Sequence, residues 1–133
     1  ALGQAFYRTM FGLEYAAHNG DATRVKRYTN TVRFYVDDRS GLNRGPAAKK
    51  FVASLPRTIR NFKGTLVNRP SAANFKVVIV RSRVNDSSRH ARFTEFDQAL
   101  MNIIYHPAIR PGMSREAAGR VLPRVLRDLG YDR

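Results

Sequence analysis

The spacing of apolar residues along the first third of the chain predicts a helix followed by a strand. Apolar residues three or four positions apart, starting at Leu2, form one helical face, so we expect a helix over residues 2–17. Asn19-Gly20 suits a left-handed cap at its end. Val32, Phe34 and Val36 then alternate with more polar residues, which is typical of a strand with one buried face.

The segment over residues 47–63, "AAKKFVASLPRTIRNFK", predicts an amphipathic helix with Pro46 as its first residue. At about 100° per residue, its apolar side chains fall on one side. They are Phe51, Val52, Leu55, Ile59 and Phe62. The cations occupy the other side, and they are Lys49, Lys50, Arg57, Arg60 and Lys63. Pro56 interrupts the hydrogen-bond ladder, so we expect a kink there or a fresh start capped by Ser54.

The second half of the chain predicts two further strands and two helices. "NFKVVIVRSR", residues 74–83, is rich in β-branched residues and indicates an inner strand covered on both faces. A weaker strand is predicted over residues 64–68. Thr94 begins a helix with Asp97 as its capping-box partner, and a buried stripe that includes Phe96.

These elements together predict an α+β fold in layers. We expect a small mixed sheet of about three strands, packed by an N-terminal helix, the basic amphipathic helix and a C-terminal helix pair. The length of 133 residues suits one domain, so residues 1–133 are predicted to form a single domain.

The joint between the last two helices, "YHPAIRPGMSREAAGRVLPRVL", is unusually rigid. Two prolines fix backbone angles, a glycine permits a tight turn, and a serine caps the final helix. The residues predicted to build this structural joint are Pro107, Arg110, Pro111, Gly112, Met113 and Ser114.

The charge of the chain is strongly positive. The net charge is +14, and residues 39–92 hold thirteen basic residues against one acid, Asp86. Such a field attracts nucleic acid, anionic lipid headgroups or an acidic protein surface. The chain has no cysteine, which excludes disulfides and thiolate metal sites, and no apolar stretch long enough for a transmembrane span.

The basic residues allow two interpretations. A charge stripe on a helix is commonly a solvated surface, and it can also be a docking face for an anionic partner. Four more arginines near the predicted inner strand suit phosphate contacts or a protein interface equally well. They are Arg81, Arg83, Arg89 and Arg92.

No catalytic or metal-binding set emerges from the residue pattern. His18, His90 and His106 are scattered, without the spacing of a zinc-peptidase helix. Asp37 and Asp38 are adjacent at a strand end, so their side chains point to opposite sides and favour a solvated turn over an acid–base pair. We therefore predict a protein that is not an enzyme, with no catalytic residue, no metal ligand and no cofactor.

The joint and the segments before it resemble a known family. "YHPAIRPGMSREAAGRVLPRVL" resembles the C-terminal signature of the proteobacterial domain-of-unknown-function family 2927, Leu-Tyr-x-Pro-x-Leu-Arg-Pro-Gly-Met followed by a final helix. "TEFDQALMNIIYHP", "ANFKVVIV" and "RVKRYTNTVRFYV" resemble its penultimate helix, inner strand and first strand. The resemblance implies a periplasmic or secreted protein, or one associated with a membrane as a lipoprotein. It also implies a remote similarity to metzincin-like zinc peptidases whose ligands are lost.

The chain departs from the family between the inner strand and the penultimate helix. Family members carry there a Glu-Glu-x-x-Gln-x-Leu-Gly-Leu helix followed by Asn-Asp-Ser. In this chain the helix is missing, and only "VNDSS" at residues 84–88 resembles the tail of that element. Either the segment is deleted or the sequence joins two pieces across an omitted stretch, and we favour the second. Successive Cα atoms between residues 80 and 95 would then exceed the spacing of about 3.8 Å across a trans peptide.

The functional hypothesis is a non-catalytic, strongly basic, extracytoplasmic accessory domain. It would dock as a subunit on an acidic protein assembly or on an anionic membrane surface. The alternatives are a nucleic-acid-binding domain and a degenerate metzincin-like hydrolase.

Overall fold

A computed structural model describes residues 1–12, 23–81 and 93–131. The helices in these ranges are α1 (Leu2–Phe11), α2 (Gly45–Thr58), α3 (Glu95–Ile104) and α4 (Arg115–Leu129). The strands are β1 (Val32–Asp38), β2 (Gly64–Leu66) and β3 (Phe75–Ile79), and a short 3-10 turn, Pro70–Ala72, precedes β3. The predicted α+β fold class is confirmed.

The chain forms two compact units. Unit 1 contains Ala1–Thr29, Ile59–Asn61 and Phe93–Arg133, and unit 2 contains Asn30–Thr58 and Phe62–Arg92. The single domain over residues 1–133 stays a prediction. The predicted helix cap at Asn19-Gly20 lies outside the described residues, as do residues 82–92 of the stretch 80–95 in which a chain break was predicted.

Unit 2 is a three-stranded sheet with α2 packed on one face. The strand order is β2-β1-β3, and both pairs are parallel. Val32, Phe34 and Val36 of β1 are buried, as their alternation predicted. The Phe34 ring lies 5.3 Å from that of Phe75 and 6.3 Å from that of Phe62, between centroids, so aromatic packing joins the strands on this face.

The sheet differs from the prediction in two respects. It is parallel rather than mixed, because α2 and the turn-bearing segment 67–74 each return the chain to the same end of the sheet before the next strand begins. Residues 74–83 were expected to hold the inner strand, yet among the strands of the described residues β3 lies at the edge and β1 takes the centre. The apolar composition of a segment indicates that it is buried. Its position in the sheet depends on which strands it pairs with, and these are distant in sequence.

Helix α2 ends earlier than its apolar pattern predicted. It stops at Thr58 rather than at residue 63, and Asn61 turns the chain with a left-handed backbone (φ 66°). Pro56 lies within the helix without a fresh start, since the Ser54 hydroxyl donates to the Phe51 carbonyl (2.6 Å) instead of capping a new helix. Phe51, expected on the buried side, is 43% exposed.

Unit 1 packs three helices around a small apolar core. Phe6, Ile103, Ile109 and Val125 have no exposed surface. Helix α1 ends at Phe11, where Gly12 is extended (ψ 135°), and residues 13–17 of the predicted helix lie outside the described residues. A Cβ on Gly12 would collide with the Arg8 carbonyl, so glycine suits the close turn.

Helix α3 begins as the sequence predicted. Thr94 accepts from the Asp97 backbone, and the Asp97 carboxylate accepts in return, which confirms the capping box. Phe96 was expected in the buried stripe, but it is 45% exposed because the first turn of α3 is peripheral to the core. Ile103 and Ile104, in the last turn, carry the burial instead.

The joint before α4 is held by backbone pairing with Val25. Gly112 N–H donates to the Val25 carbonyl, Val25 N–H donates to the Met113 carbonyl, and both distances are 2.8 Å. Gly112 has φ 87°, a conformation that few side chains tolerate. The Ser114 hydroxyl accepts from Ala117 N–H (3.1 Å), so the predicted cap of the final helix is present.

Asn102 is a buried polar residue that ties together three segments of unit 1. Its side-chain oxygen accepts from Arg60 N–H (2.9 Å), and its side-chain nitrogen donates to the Tyr131 hydroxyl (3.2 Å). The segment 59–61, helix α3 and the C-terminal end of α4 therefore meet at one amide. Both of its polar ends are satisfied, as burial requires.

We expect Asn102→Ala to lower the free energy of unfolding by about 1–3 kcal/mol, because it leaves a backbone donor and a tyrosine hydroxyl without their partner. Urea unfolding followed by circular dichroism measures this change. Gln4→Ala, at an exposed position of α1, is the control and should stay within about 0.5 kcal/mol of the parent. Equal stability of the two variants would contradict the role of Asn102.

Candidate interaction surface

The structure separates the five cations predicted for one helical face. Lys49, Lys50 and Arg57 lie on α2 and are exposed. Arg60 follows the helix, within the 59–61 segment of unit 1, and its backbone bonds Asn102. Lys63 is exposed just before β2. The early end of α2 is the reason that only three of the five share one helix.

Lys49, Lys50 and Arg57 form what we call the α2 basic face. At about 100° per residue, they span about a quarter of the helix circumference. Ala53 is exposed between them, and the Arg57 guanidinium lies 3.4 Å from its carbonyl oxygen. No acidic residue occurs in Gly45–Thr58, so the helix itself supplies no compensating charge.

The rest of unit 2 does not compensate this charge either. Its described residues, 30–58 and 62–81, contain ten lysines and arginines against two acids, Asp37 and Asp38. Asp37 is bound by Arg39, with 2.7 Å between Oδ2 and Nε. Asp38 is bound within its own loop. In the described part of unit 2, both carboxylates are thus engaged away from the α2 basic face.

Asp38 joins the end of β1 to the start of α2. Its Oδ1 accepts from the Ser40 backbone (3.0 Å) and hydroxyl (2.6 Å), while its Oδ2 accepts from Arg44 N–H (2.7 Å) and Gly45 N–H (2.9 Å). The Ser40 hydroxyl and these backbone bonds lower the pKa of Asp38 to about 2. The carboxylate therefore stays ionised at the positive end of the helix dipole and fixes where α2 begins.

The sequence of this loop has the pattern of an aspartate-stabilised turn. An aspartate followed two residues later by serine and three later by glycine is typical of a side-chain-stabilised turn. Gly41 (φ 74°) provides the left-handed backbone that the turn needs. Asp37 is paired with Arg39, whereas Asp38 is bound by groups of its own loop and of the start of α2.

Arg81 is the one residue of the predicted arginine group within the described ranges. Its Nε donates to the Ser40 carbonyl (3.2 Å), which attaches the end of β3 to the β1–α2 loop. Its side chain is exposed, so a charge remains at this end of the sheet. Arg83, Arg89 and Arg92 lie outside the described residues.

His106 is engaged at both ring nitrogens. Nδ1 accepts from Ala108 N–H (3.0 Å), and Nε2 lies 3.1 Å from Asp128 Oδ2, so the ring proton belongs on Nε2. His18 and His90 lie outside the described residues. Residues 1–12, 23–81 and 93–131 hold no group of three or more side chains suited to a metal ion. None of the helices in the same ranges is long and apolar enough to cross a membrane.

Arg27 differs from the exposed cations because it is partly buried in unit 1. Its Nη1 donates to the Ile104 carbonyl (2.7 Å) at the end of α3, and its guanidinium lies 5.4 Å from the centre of the Tyr105 ring. Burial lowers the pKa of Arg27 and raises the pKa of Tyr105. Arg27 therefore stabilises the helix terminus and adds little to a docking surface.

We expect Asp38→Asn to loosen the start of α2, because one of the two accepting oxygens becomes a donor. Amide hydrogen exchange at Arg44 and Gly45 should accelerate, while Asp37→Asn leaves it unchanged. Because the pKa of Asp38 is lowered, the stability that it contributes is fully present above its ordinary pKa of about 4. This contribution is lost as the pH falls towards 2. Unchanged exchange at Gly45 in the Asp38 variant would contradict this role.

Comparison with known proteins gives one family match. No curated protein and no solved structure matches the chain. The matched segment, residues 80–124, covers about a third of the chain and includes α3, the joint and most of α4. It matches the sequence profile of a family described as "Protein of unknown function (DUF2927)", and this match confirms the resemblance that the sequence predicted.

Proposed function

We propose that the protein is a non-catalytic, basic accessory domain that docks on an acidic protein surface through the α2 basic face. One observation carries the proposal: Lys49, Lys50 and Arg57 are exposed on a helix without acids, in a unit whose described carboxylates are engaged elsewhere. An uncompensated cluster repels itself, and carboxylates of a partner relieve that repulsion. The cluster also accelerates association with an acidic surface.

The packing of α2 favours a protein partner over a membrane. A helix that lies in a membrane interface buries a stripe of large apolar side chains in the lipid, while its basic residues contact the headgroups. Val52 and Leu55 of α2 are buried against the sheet, and Phe51 alone is partly exposed. The helix can therefore offer charge to a surface, but little apolar area for insertion.

The same face differs from the sites that bind single-stranded nucleic acid. Proteins that bind single strands place aromatic rings among their cations so that bases can stack on them. The residues that separate Lys50 from Arg57 on the exposed side are small, as at Ala53. Phe51 lies about 100° around the helix from Lys50, at the edge of the packed side.

For the location of the protein, the support is the family resemblance. We propose that it acts outside the cytoplasm, in the periplasm or after secretion, as one subunit of a larger assembly. The partner is identified by its chemistry, a surface rich in aspartate and glutamate.

The test is a charge reversal with a matched control. We expect Lys49→Glu combined with Lys50→Glu and Arg57→Glu to weaken binding to poly-glutamate about tenfold, since three exposed ion pairs contribute about 0.5 kcal/mol each. The control reverses Arg120, Arg124 and Arg127, which form an exposed face of α4 and give the same change in net charge. Glu116 and Asp128 already moderate that face, so its reversal should weaken binding less than about threefold.

Isothermal titration at low and moderate salt measures both variants, and circular dichroism checks that they fold. Equal losses in the two variants would show that net charge alone causes binding, and the α2 basic face would be rejected. The same variants are also titrated with phosphatidylglycerol vesicles and with duplex DNA. Tighter binding to either than to poly-glutamate, sensitive to the α2 reversal, would replace the acidic-protein proposal with that partner.

A further inference from the structure

The sheet of unit 2 has a second face, opposite α2. Side chains alternate between the faces of a strand, and residues paired in parallel strands share a face. Because Val36 is paired with Val77 on the α2 side, Tyr35 and Lys76 lie on the other side, as do Arg33 and Val78. We call this second side, built by Arg33, Tyr35, Lys76, Val78 and Val80, the open sheet face.

The open sheet face is exposed along β3, where its apolar side chains lie, and β1 adds Arg33, Tyr35 and Asp37 beside them. Val78 is 46% exposed and Val80 is 60% exposed, while Tyr35 is partly buried beside them. Across residues 30–58 and 62–81, α2 is the single α-helix, and it packs on the opposite side. Parallel sheets are nearly always covered on both faces, and no helix of residues 30–58 and 62–81 covers this second face.

The sequence of β3 gives the same indication independently. Val77 and Ile79 of β3 lie on the α2 side and Val78 lies on the open sheet face; Val80, the next position of this alternation, directly follows β3. Apolar residues on both sides are typical of a strand that is covered on both sides. This pattern is why the sequence predicted an inner strand, and the exposure of Val78 shows which cover is lacking.

The charges beside Val78 and Val80 select the type of cover. Lys76 and Arg33 are exposed on the open sheet face, and the described part of unit 2 holds ten cations. Asp37, the acid on this face, is bound by Arg39 (2.7 Å). A second copy of the chain would bring the same cations against these, at a net charge of +14 per chain. An acidic partner would complement them.

We propose that the open sheet face binds an amphipathic, acidic helix of a partner protein. Helices are the elements that cover parallel sheets, and an apolar stripe on such a helix would pack on Tyr35, Val78 and Val80. Glutamates or aspartates beside the stripe would meet Lys76 and Arg33. This surface lies on the side of the sheet away from α2, so it is distinct from the α2 basic face and goes beyond the proposed function.

The test uses two synthetic peptides of leucine and glutamate with one composition. In the first, the leucines follow helical spacing and form a stripe; in the second, their order is scrambled. We expect the protein to bind the amphipathic peptide about tenfold more tightly than the scrambled one, measured by fluorescence anisotropy. Val78→Asp should abolish this preference. Ala47→Asp, at an exposed position of α2 with the same change in charge, should keep it.

The ratio of the affinities for the amphipathic and the scrambled peptide distinguishes binding at the open sheet face from binding at the α2 basic face. Reversal of the α2 basic face should weaken both peptides alike and leave their ratio unchanged, whereas Val78→Asp should change the ratio. Loss of the ratio in the α2 variant, with none in the Val78 variant, would overturn the open sheet face as the site. Equal binding of the two peptides by the parent protein would also overturn it.

Other occupants give other results. Sedimentation velocity that shows self-association removed by Val78→Asp would replace the acidic helix with a second copy. Binding to phosphatidylglycerol vesicles that depends on Val78, without a peptide preference, would replace it with lipid. If Val78→Asp does not fold, NMR shifts of the parent protein decide: the amphipathic peptide must shift Tyr35, Lys76 and Val78, and shifts confined to α2 would overturn the proposal.

Discussion

Four hydrogen bonds to one carboxylate, that of Asp38, determine how unit 2 presents its surfaces. Two of them connect the last residue of β1 to the backbone amides of Arg44 and Gly45 at the start of α2, where a helix otherwise leaves donors without partners. The other two hold Ser40 in the loop between these elements. Because this anion occupies the positive end of the helix, α2 does not offer that end to an external phosphate. What α2 does present is its side, where Lys49, Lys50 and Arg57 are exposed. Because Asp38 is bound at the start of α2, it does not neutralise the basic residues on the side of that helix.

The two units place their acids differently, and this difference makes the charge of the chain uneven. In the described part of unit 1 the carboxylates are distributed among the helices: Asp97 caps α3, and Asp128 lies near both His106 and Arg124. The basic face of α4 therefore has an acid within reach. In the described part of unit 2, Asp37 and Asp38 are both held at the end of β1. Exposed ion pairs contribute little to stability, so their absence from α2 costs the fold little and leaves the charge available to a partner.

Local patterns predicted the elements, and distant pairing decided the rest. The alternation in β1, the capping box of α3 and the Ser114 cap depend on neighbours within a few residues, and each was predictable. The helical spacing of apolar residues continues through Ile59 and Phe62, which are buried, although α2 has already ended. The chain there takes a left-handed turn at Asn61, which the spacing does not reveal. For this reason Arg60 and Lys63 lie outside α2 and do not belong to its basic face. The edge position of β3 required knowledge of its pairing with β1, which no local pattern encodes.

The lengths of the two crossovers explain why residues 30–58 and 62–81 place a helix on only one face of the sheet. The connection from β1 to β2 is long enough to hold α2, and α2 covers the side on which Val32, Phe34 and Val36 lie. The connection from β2 to β3, residues 67–74, has room only for a 3-10 turn, so it returns the chain without bringing a second helix to the sheet. A parallel sheet normally gains one covering helix from each crossover. The short second crossover therefore leaves Val78 and Val80 without a cover from residues 30–58 and 62–81, and the cations beside them favour an acidic one.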